Sequence, residues 1–169
     1  MEALQAIMTR RSIRKFTSQV VSEEMIDQIL KAGMQAPSAN NGQPWHFIVF
    51  QDRTRLDEIP VIHPYAQMAK EAPLAILVCA DLTDAKSPDY WMVDCSAATQ
   101  NILLAAHALG LGAVWCGVYP RQQRMDGMTR LAGLPEKVMP LSLIILGYPA
   151  ELPQSADRFK PERIHHERW

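Results

Sequence analysis

Four basic residues stand within eight positions near the amino terminus, in the segment TRRSIRKF over residues 9–16. If this segment is extended, alternate side chains point to the same side, so Arg10, Ser12 and Arg14 would share one face. Two guanidinium groups and a hydroxyl on one face can bind a phosphate, because guanidinium offers paired N–H donors to phosphate oxygens. A solvated basic turn after a helix gives the same spacing, and spacing alone favours that plainer interpretation.

A second candidate for a binding segment is the loop APSANNGQPWHF over residues 36–47. Its neutral hydrogen-bonding side chains suit the edge of a heterocycle that carries carbonyl and N–H groups. These side chains are Ser38, Asn40, Asn41 and Gln43. An ordinary polar loop between a helix and a strand remains the alternative, although it needs fewer amides than this one contains.

Several other kinds of site are excluded by spacing. Gly110 and Gly112 precede a predicted strand, whereas the glycines of a dinucleotide-binding fingerprint follow one, and the sequence contains no P-loop. The histidines lack the HExxH spacing, the cysteines lack Cys-x-x-Cys or metal-binding spacing, and no Gly-x-Ser-x-Gly elbow occurs. We therefore expect neither a metal site nor a protein nucleophile, as in a protein whose cofactor supplies the chemistry.

The composition predicts one globular domain over residues 1–169, with 48% hydrophobic and 21% charged residues. A formal net charge of −1 argues against a nucleic-acid partner, which a broad basic surface would bind. The apolar runs are shorter than the roughly 20 residues that cross a bilayer, and the first residues do not form a signal-peptide pattern. The three cysteines do not suggest a disulfide framework. We expect a cytoplasmic protein without a membrane partner.

Hydrophobic periodicity predicts the elements that must position these segments. Helices are predicted over residues 3–8, from an N-cap at Ser22 to a stop before Pro37, over 89–109 and near 121–131. Buried strands are predicted over residues 45–50, 74–80, 113–119 and 141–148. The pattern indicates an α+β fold in which a mixed sheet packs against helices.

Taken in order, five segments resemble the nitroreductase family of flavoproteins over nearly the whole chain, from Arg10 to Trp169. They are RRSIRKF, APSANNGQPWHFIVF, APLAILVCAD, GLGAVWCGVYP and LGYPAE with the closing DRFKPERIHHERW. The resemblance implies a compact member with the nitroreductase-like α+β fold, forming a homodimer with FMN bound at the subunit interface. The C-terminal tail, which carries Phe159, Ile164 and Trp169, would then wrap the partner subunit.

The resemblance implies that the amino-terminal basic segment binds the FMN phosphate and the ribityl chain. The matching positions are Arg10, Arg11, Ser12 and Arg14. Arg158, far along the chain, matches the late basic residue that completes the phosphate site.

The resemblance also assigns residues to the flavin ring. The loop positions, laid along the flavin by the second subunit, are Pro37, Ser38 and Ala39, with Asn41 and Gln43 as polar positions of the same loop. The strand positions that face the ring are Trp115, Cys116, Gly117 and Val118, with an N–H near N5 expected from Gly117 or Val118. Gln67 or Lys70 stands where longer relatives contact the ring through an Asn and a Lys.

The function implied is that of an FMN-dependent oxidoreductase with NADH or NADPH as electron donor. Nitroaromatics, quinones or related small molecules would be the acceptors, and hydride would pass through the flavin in a ping-pong reaction. The alternatives are a flavin reductase, enone reductase or dehalogenase on the same fold, a non-catalytic FMN-binding protein, and a structural dimer without cofactor.

Overall fold

The computed structural model describes residues 1–83, 85–154 and 156–169. The α-helices in these ranges are α1 (Ala3–Thr9), α2 (Glu23–Met34), α3 (Arg53–Ile62), α4 (Trp91–Ala108) and α5 (Gln122–Ala132). The strands are β1 (Trp45–Phe50), β2 (Leu74–Asp81), β3 (Gly112–Gly117) and β4 (Val138–Gly147).

The four strands form one sheet in the order β1-β2-β4-β3, and every neighbouring pair is antiparallel. Side chains along β2 alternate between two buried clusters, with Ile76 on the face that α2 and α4 cover and Leu77 on the face that α3 and α5 cover. The α+β class is confirmed. The prediction of a mixed sheet is wrong for these four strands. Among the described residues, the only parallel pairing is the isolated bridge between Ser12 and Ala113. Strand direction depends on where each connection re-enters the sheet, which hydrophobic periodicity does not record.

Helix α4 lies at the centre of the molecule and is buried on more than one side, as its alanine-rich sequence predicts. It packs against α2 so closely that a Cβ on Gly33 would stand 3.0 Å from Cγ1 of Ile102. The chain leaves α4 through Gly110, whose φ of 82° lies in the left-handed region. None of the described helices is both long enough and apolar enough to span a membrane.

Local sequence signals locate most of the element ends. The Ser22 side chain accepts a hydrogen bond from the Met25 amide at 3.3 Å, which confirms the predicted N-cap of α2. Strand β1 has the predicted bounds. Strand β4 begins at Val138, before Pro140, and not at Leu141 as predicted. The register between β2 and β4 shifts next to Pro140, and a residue without an N–H is tolerated at such an irregularity.

Sequence periodicity did not predict helix α3, which carries few apolar residues and a proline, Pro60, in its last turns. Its buried side chains are Leu56, Ile59 and Pro60, and the first two pack into the cluster beneath β2 and β4. The helix is thus stabilised by tertiary burial rather than by a strong amphipathic pattern of its own.

The basic segment near the amino terminus is extended and lies along the free edge of β3. The Ile13 amide donates to the Ala113 carbonyl at 3.0 Å, and the Ile13 side chain is buried. A Cβ on Gly112 would stand 2.7 Å from Ile13, so the glycine permits this close approach. Ser12 and Arg14 remain exposed on either side of Ile13, which is the alternation that the phosphate prediction required.

The C-terminal tail over residues 149–169 makes few contacts with the body of its own chain. The Ala150 amide donates to the Lys15 carbonyl at 2.9 Å, but farther along Phe159 and Ile164 are exposed. Trp169 is completely exposed, at 100% of its side-chain reference area. A tail this rich in large apolar side chains therefore lacks a packing surface within the described part of its own subunit.

Candidate functional site

Three guanidinium groups converge where α1 meets the tail. Burial lowers the pKa of Arg10, and the neighbouring charges of Arg158 and Arg11 lower it further. Arg158 therefore lies close enough to Arg10 for the two charges to repel, although the residues are 148 positions apart in the sequence. Among the described residues, none of these three groups has a carboxylate within 4.0 Å. The cluster therefore carries positive charge that the described chain does not neutralise.

Arg11 differs from its neighbours because its terminal nitrogens already hold backbone carbonyls. Nη1 donates to Met8 at 2.9 Å and to its neighbour Arg10 at 2.8 Å, and Nη2 donates to Ala156 at 3.1 Å. Arg11 thereby ties the end of α1 to the tail. Its charge adds to the cluster, but within the described chain the guanidiniums of Arg10 and Arg158 are the ones without such hydrogen bonds.

Arg14 lies farther along the same edge, next to β3. The bridge at Ser12 is parallel, so the segment runs in the direction of β3 and brings Arg14 toward Cys116. Burial raises the pKa of the Cys116 thiol to about 11, against the opposing effect of the charges of Arg14 and Arg124. Cys116 is therefore a protonated thiol at neutral pH and a packing residue rather than a nucleophile.

The loop after α2 has an unusual backbone. Asn40, Asn41 and Gln43 have φ values of 51°, 50° and 49°, in the left-handed region that non-glycine residues seldom adopt. Ser38 stabilises this path, since its hydroxyl accepts a hydrogen bond from the Gln43 amide at 3.0 Å. Strain of this kind persists only where surrounding contacts impose it, and it is common at ligand sites.

Asp94 of α4 supplies a further constraint, because its carboxylate accepts from the Ala39 amide at 3.0 Å while almost fully buried. The Asn40 amide donates to the Ser87 hydroxyl at 2.8 Å, so this predicted donor is engaged within the chain. The exposed Asn41 and Gln43 side chains have no such hydrogen bond among the described residues. Sequence analysis missed Asp94, whose one signal is that it is the only acidic residue of α4.

The end of β3 presents an open backbone edge at Gly117. The Val118 amide donates to the Leu141 carbonyl at 3.1 Å, so of the two expected N–H donors only Gly117 remains, on the side of β3 that faces away from β4. A Cβ on Gly117 would meet no atom of the described residues within 4 Å, and its φ is not in the left-handed region. Neither backbone conformation nor packing against the described residues requires this glycine. Trp115, 38% exposed, stands beside the open space.

Two side chains that sequence analysis did not assign hold the Gly117 carbonyl. His63 Nε2 lies 2.9 Å from this oxygen, and Arg124 Nη1 donates to it at 2.8 Å. A carbonyl only accepts, so His63 carries its proton on Nε2, which leaves the buried Nδ1 without a partner among the described residues. Arg124 also lies over the Tyr65 ring, 5.4 Å from its centroid.

The region of Gln67 is only partly available to a ligand. The Gln67 side-chain nitrogen donates to the Pro64 carbonyl at 3.2 Å and to the Pro60 carbonyl at 3.4 Å. These hydrogen bonds stabilise the turn after α3 and engage the amide nitrogen that a ligand would need. Lys70, the alternative at this place, is exposed.

The two ends of the candidate site lie along one strand edge. From Ala113, beside the basic segment, to Gly117 the strand advances roughly 13 Å at about 3.3 Å per residue. Positive charge therefore stands at one end and the Gly117 N–H at the other. The loop after α2 leads into β1 at the opposite edge of the sheet, so the described subunit does not place its exposed amides beside β3. This arrangement suits an elongated ligand with an anionic group at one end and a flat hydrogen-bonding ring at the other.

Comparisons with known proteins agree with this description. The model of the Nitroreductase family matches residues 7–63 and 61–148. A provisionally named NADH dehydrogenase/NAD(P)H nitroreductase of Methanothermobacter thermautotrophicus is 57% identical over 169 residues, covering 100% of this chain and 88% of the relative. A crystal structure with the same provisional name, from Parabacteroides distasonis, superposes with a TM-score of 0.95 at 42% identity, covering 99% of this chain and 98% of that one.

A third similar protein was solved with a ligand. It is a provisionally named nitroreductase of Desulfovibrio desulfuricans in complex with FMN, and it has a TM-score of 0.85 and 34% identity. The similarity covers 100% of this chain and 98% of that chain.

The buried His63 makes a testable contribution to the pH dependence of stability. Burial lowers its pKa from 6.5 and the Arg124 charge lowers it further, while the hydrogen bond to Gly117 opposes the shift. The unfolded chain therefore binds the proton first, and stability should fall as pH decreases through about 6.5 toward the lowered value. We expect His63→Gln, which keeps a donor near Nε2, to reduce this loss between pH 7 and pH 5, measured by urea unfolding.

The control for this prediction is His166→Gln, a change of the same type in the exposed tail. An identical pH dependence in His63→Gln and in the unmodified protein would show that the pKa of His63 is the same in the folded and the unfolded chain, and would contradict the predicted shift.

Proposed function

This chain belongs to the nitroreductase family, and on that premise we propose that it is an FMN-dependent oxidoreductase. The electron donor would be NADH or NADPH, and the acceptors small molecules such as nitroaromatics and quinones. The observation that carries the proposal is the uncompensated pair Arg10 and Arg158 at one end of the β3 edge, with the open Gly117 at the other.

The residues present fit FMN as a ligand. A phosphate carries close to two negative charges, and Arg10, Arg158 and Ser12 would bind it through charge-assisted hydrogen bonds. Arg14 would lie toward the ring, beside β3. The Gly117 N–H is the donor that we assign to the flavin N5, because the Val118 N–H is already bonded to Leu141.

The chain contributes binding, orientation and electrostatics to the reaction. FMN held by these residues would supply the hydride-transfer chemistry between NAD(P)H and the acceptor. Trp115 would shield the ring together with the loop after α2 of the second subunit, and the absence of a side chain at Gly117 leaves room for the ring. Because donor and acceptor need the same exposed ring face, they would bind in turn, which is a ping-pong mechanism.

We also propose that the protein is a homodimer whose FMN sites include residues of both subunits. Helix α1 exposes Leu4 and Met8 at 73% and 70%. An open cleft of about 420 Å³ with a largely apolar lining runs between α1, α2 and α4. The exposed tail with Phe159 and Trp169 would cover such a surface on the partner, and the strained loop with Asn41 would then reach the partner's flavin.

The cellular setting follows from the proposed chemistry. The three cysteines are free and buried, as in proteins of a reducing compartment, and NAD(P)H is a metabolite of such compartments. We propose that the protein acts in the cytoplasm.

The purified protein should be yellow, and NADH or NADPH should bleach the flavin under anaerobic conditions. A nitroaromatic or a quinone should then restore the absorbance, and light scattering should give the mass of a dimer. If flavin is bound but neither nucleotide reduces it, the protein is an FMN-binding protein without this activity. Free FMN or an enone as the better acceptor would indicate a flavin reductase or an enone reductase.

Arg158→Ala should weaken FMN binding about 10- to 100-fold, the range expected for loss of one charge-assisted hydrogen bond of about 1.5–3 kcal/mol. The measurement is the dissociation constant of FMN from the apoprotein, followed by flavin fluorescence. Arg163→Ala, another exposed tail arginine, is the matched control and should leave the constant unchanged. Equal constants for both variants would remove Arg158 from the phosphate site.

Gly117→Ala separates ligand binding from folding. The added Cβ meets no atom of the described residues within 4 Å, so the free energy of unfolding of the apoprotein should stay the same or rise by about 0.5–1 kcal/mol. FMN affinity should fall at least tenfold, because the methyl group enters the space that we assign to the ring. Unchanged affinity together with unchanged stability would place the ring elsewhere.

A further inference from the structure

The Gly117 carbonyl is the acceptor for two side chains from different elements. His63 follows the end of α3 and Arg124 lies in the first turn of α5, and their nitrogens stand 2.9 Å and 2.8 Å from the same oxygen. Neither contact belongs to the sheet, since this oxygen faces away from β4. Two elements from outside the sheet therefore meet at one peptide group at the end of an edge strand.

We propose that His63 and Arg124 are positioning residues of the redox site, which fix the Gly117 carbonyl and thereby the adjoining peptide group, whose Gly117 N–H is presented to the flavin N5. The inference rests on the proposed function and adds to it two residues that act on the flavin through the backbone. Neither residue needs to touch substrate or cofactor for this role.

The end of β3 needs such support. Glycine has the greatest backbone freedom of any residue, and Gly117 lacks packing contacts for a side chain. Beyond it the ladder ends irregularly, because the Val118 and Tyr119 amides both donate to the single Leu141 carbonyl. The Gly117 carbonyl and the Gly117 N–H belong to adjacent peptide groups that meet at the glycine Cα, where rotation is least restricted. Donors that hold the carbonyl limit this rotation and thereby define the direction of the N–H.

The burial of His63 is not explained by stability alone. The side chain is 2% exposed, and its Nδ1 has no partner among the described residues. An unsatisfied buried nitrogen opposes folding, and a leucine of similar volume would avoid that cost. What the imidazole provides is an Nε2–H donor aimed at the Gly117 oxygen.

Arg124 supplies both a donor and a fixed charge. Its guanidinium lies over the Tyr65 ring, 5.4 Å from the centroid, which restricts its orientation. The positive charge thus stands one peptide group away from the proposed N5 donor. Such a charge favours the arrival of electrons at this end of the flavin, so it should raise the reduction potential of the bound cofactor.

The test compares Arg124→Met, Arg124→Lys and the control Arg130→Met, which removes the same charge from the exposed last turn of the same helix. The measurements are the FMN dissociation constant, the reduction potential of bound FMN and the thermal unfolding of the apoprotein. We expect Arg124→Met to weaken FMN binding about tenfold and to make the potential more negative. Arg124→Lys should recover the potential, and Arg130→Met should change neither quantity.

A second pair of variants tests the imidazole. His63→Gln should keep FMN affinity within about twofold of the unmodified protein, because the amide nitrogen can reach the same carbonyl, whereas His63→Leu should weaken it about tenfold. If the Arg124 and His63 variants lower only the unfolding temperature and leave affinity and potential unchanged, the two residues are structural and the inference is wrong. An unmodified protein that binds no FMN would instead overturn the proposed function itself.

Discussion

The attachment of the amino-terminal basic segment to the outer edge of β3 is the contact on which the site depends. One backbone hydrogen bond, from Ile13 to Ala113, and the burial of Ile13 against Gly112 fix the segment. Because Ile13 points inward, Ser12 and Arg14 must point outward. The same edge ends in Gly117, so a single strand orients both the cationic end and the ring end of the proposed FMN site.

The site also concentrates features that do not help the chain fold. Guanidinium groups repel one another around Arg10, the loop at Asn40 and Asn41 has a left-handed backbone, and His63 leaves a buried nitrogen unpaired among the described residues. Each of these features would be relieved or used by an anionic, planar ligand with polar edges, and a packed antiparallel sheet supplies the stability that tolerates them. The exposed apolar surfaces of α1 and of the tail likewise do not help the single chain fold, and a second subunit would cover them.

Most of the regular structure was predictable because its signals are local. The Ser22 cap, the bounds of β1 and the buried central helix follow from neighbouring residues, and the family resemblance is confirmed by the comparisons. Helix α3 was missed because tertiary burial of Leu56 and Ile59 stabilises a segment with little amphipathic pattern. The direction of the strands was missed because strand periodicity is the same in parallel and antiparallel sheets.

The sequence by itself determined which side chains could share a face and which ligand chemistry they suit, since alternation along an extended segment is a local property. Only the tertiary structure decided that the charge of Arg158 acts on Arg10 and that Arg11 is bound to backbone carbonyls. It also decided that, among the described residues, the Val118 N–H is bonded and the Gly117 N–H is not. It also brought His63 and Arg124 to one carbonyl. These contacts join residues distant in sequence, and packing of whole elements, not local propensity, sets which atoms meet.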